Sequence, residues 1–129
     1  MIEFFMAMIP PKTTHQQKKV AVIGGKPHHY EDEKLSAARS KLMAHLSKHV
    51  PFREFEGPVR VTTKWLFPRG KHKDGEWKTT RPDVTNLQKL LEDCMTDSGF
   101  WKDDNLIVSS IVEKFWAEIP GIYIKIEEV

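Results

Sequence analysis

The chain has 129 residues, of which 40% are apolar and 29% charged, and its formal net charge is +2. This length predicts a single domain spanning residues 1–129, and the composition excludes disordered, collagen-like and disulfide-rich chains. The lone cysteine, Cys94, excludes a multi-cysteine zinc site and favours a reducing, cytoplasmic setting. No run approaches the roughly 20 apolar residues of a membrane helix, so we expect no membrane partner.

The elements follow in chain order from hydrophobic periodicity. A first strand, 2–8, ends at a proline pair, and a short strand, 20–23, is expected to pair with it as a hairpin with a basic tip, followed by a turn over 24–27. The remaining predicted elements are a helix over 33–49, a strand over 59–67, a helix over 83–97, and strands over 106–118 and 122–127. This β-β-α-β-α-β-β order predicts an α+β fold, a mixed β-sheet with two helices packed on it.

Apolar spacing predicts which faces of these elements are buried. Alternate residues of the strand over 59–67 are expected to point inward: Val59, Val61, Thr63, Trp65 and Phe67. The apolar stripe of the helix over 83–97 is Leu87, Leu90, Leu91 and Cys94. Cys94 is therefore interpreted as a core residue rather than a nucleophile.

Charge is unevenly distributed along the chain. Residues 1–82 hold 16 basic and 8 acidic side chains, whereas residues 83–129 hold 4 basic and 10 acidic ones. A basic surface attracts a polyanion, and an acidic cluster can hold a cation that activates water. Nucleases need both features, although solvated charged faces also produce such a pattern.

Two basic segments, 12–19 and 69–78, are the candidate phosphate-binding surfaces. The second is long for an ordinary connection, which favours a functional role. Trp77 lies within it and is expected to contact DNA or to order the loop. The predicted DNA-binding side chains are Lys12, Lys18, Lys19, Arg69, Lys71, Lys73, Lys78 and Arg81.

Carboxylates flank the second long helix. Asp83 precedes it, while Asp103 and Asp104 follow it at the start of a strand. Mg²⁺ needs only two or three carboxylates because it keeps several waters, and Lys89 could neutralise charge on a phosphate. Ordinary roles fit the same residues: a helix cap for Asp83, a turn for the Asp pair and a surface ion pair for Lys89.

The strongest motif covers residues 81–104. Residues 81–89 read Arg-Pro-Asp-Val-Thr-Asn-Leu-Gln-Lys, and residues 99–104 read Gly-Phe-Trp-Lys-Asp-Asp. This order resembles the RusA family of Holliday junction resolvases, whose pattern is (Lys/Arg)-Pro-Asp-x-Asp-Asn-Leu-x-Lys, then Leu-x-Asp, then (Trp/Tyr)-x-Asp-Asp. The resemblance extends over nearly the whole chain, and the runs at 14–18 and 113–116 are similar to prophage-encoded members.

The resemblance implies a homodimeric, Mg²⁺-dependent endonuclease that cuts four-way DNA junctions by paired nicks in recombination and repair. Asp83 and Asp104 match the aspartates that hold the metal and serve catalysis, and Lys89 matches the catalytic lysine. Asp103 and Asp93 match nearby acidic positions, of which Asp103 is a further metal-ligand candidate.

One position departs from the family pattern. Thr85 stands where the second motif aspartate is expected, and a hydroxyl binds Mg²⁺ more weakly than a carboxylate does. Thr85 could still bind the metal directly or through water, or Glu92 or Asp93 could supply the missing carboxylate. Two alternatives remain open: a catalytically weak junction-binding protein, and a different metal-dependent phosphohydrolase.

Overall fold

The computed structural model describes residues 1–14, 18–23, 26–31 and 33–129, with side chains given outside residues 15–32. The elements are β1 (Ile2–Met6), β2 (Lys18–Ile23), β3 (Lys26–Glu31), α1 (Glu33–Leu46), β4 (Val59–Pro68), α2 (Val84–Ser98), a 3₁₀ turn (Asp104–Leu106), β5 (Ile107–Ala117) and β6 (Gly121–Glu128). The predicted α+β class and element order are confirmed, with β3 as one additional strand. Across these described ranges, no helix has the length and apolar content needed to cross a membrane.

A mixed four-stranded sheet forms the framework, in the order β1-β6-β4-β5. β6 runs antiparallel to both of its neighbours, whereas β4 and β5 are parallel. Parallel neighbours require a crossover connection, and α2 lies within that connection. The helix that carries the sequence motif is therefore tied to the sheet at both of its ends.

The predicted hairpin between the first two strands is wrong. β1 pairs with β6, and β2 pairs instead with β3 in a separate two-stranded sheet. Lys26 and Pro27, which were expected in a turn, belong to β3. The reason is burial: Phe4 and Met6 of β1 are buried beside β6, with Phe4 opposite Ile124, and an isolated two-stranded hairpin offers no comparable apolar face.

The helices cover one face of the four-stranded sheet. The inward residues of β4 alternate as predicted and are at most 1% exposed: Val59, Val61, Thr63, Trp65 and Phe67. The predicted stripe of α2 is fully buried as well: Leu87, Leu90, Leu91 and Cys94. Cys94 is thus part of the core, as expected.

α2 ends at Gly99, whose φ of 97° lies in the left-handed region that glycine adopts without strain. The backbone N–H of Gly99 donates to Thr96 and that of Phe100 donates to Met95. Trp101 then enters the core, 1% exposed, and its indole N–H donates to the Thr96 hydroxyl at 2.8 Å. This anchored reversal fixes the start of the Asp103-Asp104 segment relative to α2.

Candidate active site

Asp83 occupies the N-cap position of α2 with extended backbone, φ −71° and ψ 144°. An aspartate at this position ordinarily accepts a hydrogen bond from the first helical turn. Here the side chain makes no capping hydrogen bond, and the residue is exposed. The Asp83 carboxylate is therefore open to a ligand, as its predicted role requires.

Lys89 lies between two carboxylates on the outer side of α2. Its Nζ is 3.2 Å from Asp93 Oδ1, one turn along the helix, and 3.7 Å from Asp104 Oδ2. The hydrogen bond and charge of Asp93 raise the pKa of Lys89, and Asp104 adds to this effect. The structure thus brings together three residues of the motif that are separated by up to 15 positions in the sequence.

Glu92 belongs to the same electrostatic group. Burial is the main cause that raises its pKa; the Gln88 side chain lowers it, and the charge of Asp104 raises it further. Gln88 itself is 7% exposed and accepts a long hydrogen bond from Thr63. Within the described part of the chain, the Gln88 amide nitrogen has no hydrogen-bond partner of standard geometry.

The side chains of Asp103 and Asp104 make different contacts. Asp103 Oδ1 accepts a hydrogen bond from the backbone N–H of Asn105 at 2.8 Å and so caps the 3₁₀ turn. Asp104, the first residue of that turn, points its carboxylate to Lys89. Asp103 therefore orders the turn that presents Asp104, and its predicted metal contact stays a prediction.

A groove of about 540 Å³ lies between α2 and the edge strand β5. Thr85, Lys89 and Glu92 face it from the helix, and Ser110 and Val112 face it from the strand; Val84 and Gln88 complete the lining. Thr85 and Glu92 therefore share one groove. A carboxylate is present on the side of the helix where the family's second aspartate is replaced by threonine.

The donor set suits a hard cation only in part. Asp93 and Asp104 supply two carboxylates, and two can suffice for Mg²⁺ because it keeps several waters. Across the described residues, however, no three carboxylate, histidine or cysteine side chains are grouped as a complete metal site. The residues fit a water-rich Mg²⁺ site, and the predicted grouping of Asp83 with Asp104 stays a prediction.

The connection over residues 69–82, which contains the predicted basic segment 69–78, is packed along the edge of the sheet. Its middle pairs with β5, with Trp77 opposite Phe115, and these two rings stack with centroids 4.5 Å apart. His72 stacks on Trp116 at 4.2 Å and also contacts Glu76 at 2.8 Å. Trp77 orders the loop, as one of its two predicted roles requires, and it remains 60% exposed.

The predicted DNA-binding side chains differ in accessibility. Lys71, Lys73, Arg81 and Lys12 are exposed, and Arg69 forms an ion pair with Glu118. Lys18 and Lys19 begin β2, and their side chains lie outside the described residues, as does the segment 15–17.

Lys78 differs from the other candidates because it is only 7% exposed. Its ammonium donates to the Thr80 hydroxyl and to the Arg81 carbonyl, and it lies 4.3 Å from the ring centroid of Trp116. Burial lowers the pKa of Lys78, as do the charges of Lys114 and Lys12. The ammonium of Lys78 therefore makes its contacts inside the loop rather than at the surface.

Sequence reasoning missed Lys114. Its Nζ donates to the carbonyls of Thr80 and Pro82, at 2.7 and 2.8 Å, immediately before Asp83. The contact joins residues more than 30 positions apart, so no local pattern in the sequence predicts it. Only the parallel pairing of β4 and β5 could have indicated that this strand runs beside the motif.

Comparison with known proteins agrees with the motif. The family model for endodeoxyribonuclease RusA matches residues 8–127. The chain is 34% identical over 130 residues to the crossover junction endodeoxyribonuclease rusA of Lactococcus phage r1t, covering 98% of this chain and 96% of that protein. It is 28% identical over 121 residues to the uncharacterized protein YqaN of Bacillus subtilis (strain 168), covering 84% of each. The chain therefore belongs to the RusA family of endodeoxyribonucleases.

Proposed function

We propose that this endonuclease resolves four-way DNA junctions by Mg²⁺-dependent paired nicks. The observation that carries the proposal is the group of Lys89, Asp93 and Asp104, which unites a cation and two carboxylates; Lys89 also lines the open groove. The phage relative named as a crossover junction endodeoxyribonuclease supports a branched substrate.

In this proposal Asp83 and Asp104 hold the metal ion, with Asp93 beside them. A Mg²⁺ ion held by these residues would supply polarisation of the scissile phosphate and a lowered pKa of a bound water. Lys89 is held in its charged form by Asp93 and Asp104, so it can offset negative charge that develops on the phosphate as the P–O bond breaks.

The proposed DNA surface consists of the exposed basic side chains around the loop over 69–82. Lys71, Lys73 and Arg81 extend from it, and Lys12 adds charge from the N-terminal segment. We expect these contacts to be made to phosphates and to be largely independent of sequence. Lys78 is not included because its ammonium is buried.

Paired nicking requires two active sites, so the proposal includes a homodimer. A two-fold symmetric dimer would present identical sites to symmetry-related strands of a four-way junction. Sedimentation equilibrium with and without junction DNA measures the number of copies per complex. A complex with one copy per junction would contradict paired nicking.

The test of the proposed function is cleavage of a mobile four-way junction beside a linear duplex of the same sequence. We expect nicks at symmetric positions with Mg²⁺ and none with a chelator. Equal cleavage of the duplex would favour the alternative of a different phosphohydrolase.

A catalytically weak junction-binding protein is the second candidate. It is favoured by Thr85 at the position where the family pattern has an aspartate. Tight, Mg²⁺-independent junction binding without nicking is the result that this candidate predicts. Nicking in Mg²⁺ by the parent protein would exclude it.

A further inference from the structure

Three consecutive backbone carbonyls directly before Asp83 accept hydrogen bonds from lysine ammonium groups. Lys114 Nζ donates to Thr80 O at 2.7 Å and to Pro82 O at 2.8 Å. Lys78 Nζ donates to Arg81 O at 2.7 Å. The two lysines come from different elements, so the segment is held both from within its own loop and from β5.

The burial of Lys78 makes its contacts strong constraints. Its ammonium lies over the rings of Trp116 and Phe67, at 4.3 and 5.1 Å from their centroids, and the residue is 7% exposed. A buried charge is costly unless it is hydrogen-bonded, and the groups that satisfy this one are the ring faces, the Thr80 hydroxyl and the Arg81 carbonyl. Displacing the Arg81 carbonyl would leave the ammonium under-satisfied, so the buried charge resists movement of the backbone.

Lys114 lies on the face of β5 that carries the groove. It is opposite Trp65 in the parallel register, and Trp65 points into the core beneath the helices. Because side chains alternate along a strand, Ser110 and Val112, which line the groove, share this face with Lys114. One strand therefore supplies both the groove wall and the contact that holds the segment before Asp83.

We propose that Lys78 and Lys114 are positioning residues that fix the backbone over residues 80–82 and thereby set the location of Asp83 at the N-cap of α2, next to Val84 of the groove lining. Neither ammonium needs to touch DNA or metal in this role. The inference rests on the proposed function, in which Asp83 holds the metal ion.

The structure offers a matched control for removing a lysine charge. Lys64 lies on β4, next to β5, but on the outward face, where its ammonium is 5.8 Å from the ring centroid of Tyr123. Lys114→Met and Lys64→Met delete the same charge from neighbouring strands. Only the first substitution removes donors from the segment before Asp83.

The experiment compares parent, Lys114→Met and Lys64→Met in three measurements: the single-turnover nicking rate at saturating junction, the junction Kd in Ca²⁺, and Mg²⁺ binding without DNA by titration calorimetry. For Lys114→Met we expect the nicking rate to fall about 10-fold or more, as for loss of an outer partner of a metal ligand. We also expect weaker Mg²⁺ binding and a junction Kd within about twofold of the parent, because the phosphate contacts that dominate affinity are untouched. Lys64→Met should match the parent throughout.

Further variants separate positioning from general stability. Lys114→Gln keeps a donor without the charge and should recover part of the Mg²⁺ affinity that Lys114→Met loses, whereas a purely electrostatic defect would be the same in both variants; Lys114→Arg, which keeps donors and charge, should recover most of it. If Lys114→Met does not fold, Lys114→Gln retains a neutral donor for the comparison. Lys78→Met, which keeps the packing on Trp116, should show the same pattern of slower nicking at unchanged junction Kd.

Three results would overturn the inference, the third of them through the proposed function. Unchanged nicking and Mg²⁺ binding in a folded Lys114→Met variant would show that the position of Asp83 does not depend on the hydrogen bonds from Lys114 to residues 80–82. A junction Kd that weakens in proportion to the nicking rate would instead assign the lysine to DNA binding. A parent protein that neither nicks junctions nor binds Mg²⁺ would refute the proposed function itself, and this inference with it.

Discussion

Asp104→Asn separates the catalytic importance of a carboxylate from its contribution to stability. The Asp104 Oδ2 atom lies 3.7 Å from Lys89 Nζ, a distance at which Coulomb's law gives about 1 kcal/mol in water. The two side chains are 31% and 49% exposed, so salt screens the pair, and exposed pairs contribute about 0.2–1 kcal/mol. The substitution should therefore lower the free energy of unfolding by less than about 1 kcal/mol.

A second interaction opposes even this small loss. The charge of Asp104 raises the pKa of Glu92, which reflects repulsion between the two carboxylates. Asparagine removes that repulsion, so the pKa of Glu92 should fall in the variant. Carboxyl-detected NMR titration of Glu92 measures the shift directly.

Activity should respond far more than stability. Loss of a metal-binding carboxylate should reduce the nicking rate on the order of 100-fold or more, because even outer partners of metal ligands are worth 10–100-fold. The matched control is Glu127→Gln, since Glu127 is also 3.7 Å from its lysine partner and 32% exposed. Parent-like nicking by Asp104→Asn would refute the metal-site assignment, and a large loss of stability would refute the electrostatic reasoning.

Three further predictions concern the DNA surface, the departure from the family pattern and pH. Replacing Lys71 and Lys73 by Ala should flatten the dependence of junction affinity on salt, by about 1 in log–log slope for each phosphate that is no longer neutralised; an unchanged slope removes the loop from the DNA surface. Thr85→Asp should lower the Mg²⁺ concentration needed for half-maximal nicking. If Glu92 already supplies the missing carboxylate, the Mg²⁺ titrations of parent and Thr85→Asp will coincide, and Glu92→Gln will abolish nicking. Because the pKa of Glu92 is raised in the folded state, folding is favoured by the protonated carboxyl, and without metal the free energy of unfolding should fall as the pH rises from 4.5 through the raised pKa. Urea unfolding at several pH values, in chelator, should show a smaller fall for Glu92→Gln than for the parent. Parallel pH profiles for the two proteins would contradict this prediction.

Local sequence patterns predicted the elements in which buried apolar residues recur at a regular spacing. The alternation along β4 and the apolar stripe of α2 identified the buried residues because one face of each element packs on the core. The predicted end of this helix, at residue 97, lies one residue before the observed end at Ser98, where Gly99 adopts the left-handed conformation that a side chain would strain. These features depend on neighbours within a few positions.

Long-range pairing could not be predicted in the same way. The partner of β1 is β6, at the other end of the chain, and the sequence places β2 much closer. The same limit applies to the site: the motif named Lys89 and Asp104, but their contact depends on the reversal at Gly99 and the cap by Asp103. The hydrogen bonds from Lys114 to the segment before Asp83 depend on the parallel register of β5 with β4. No local run of residues predicts that register.

The ammonium of Lys89 acts as a built-in counter-ion for Asp93 and Asp104. Two carboxylates facing one point would repel each other without a cation, and many metal sites rely on the metal itself to hold them together. Here the chain supplies the positive charge, so we expect the fold not to depend on a bound metal. We expect chelation to leave the melting temperature nearly unchanged, and binding of Mg²⁺ to be an exchange of one cation for another rather than a folding event.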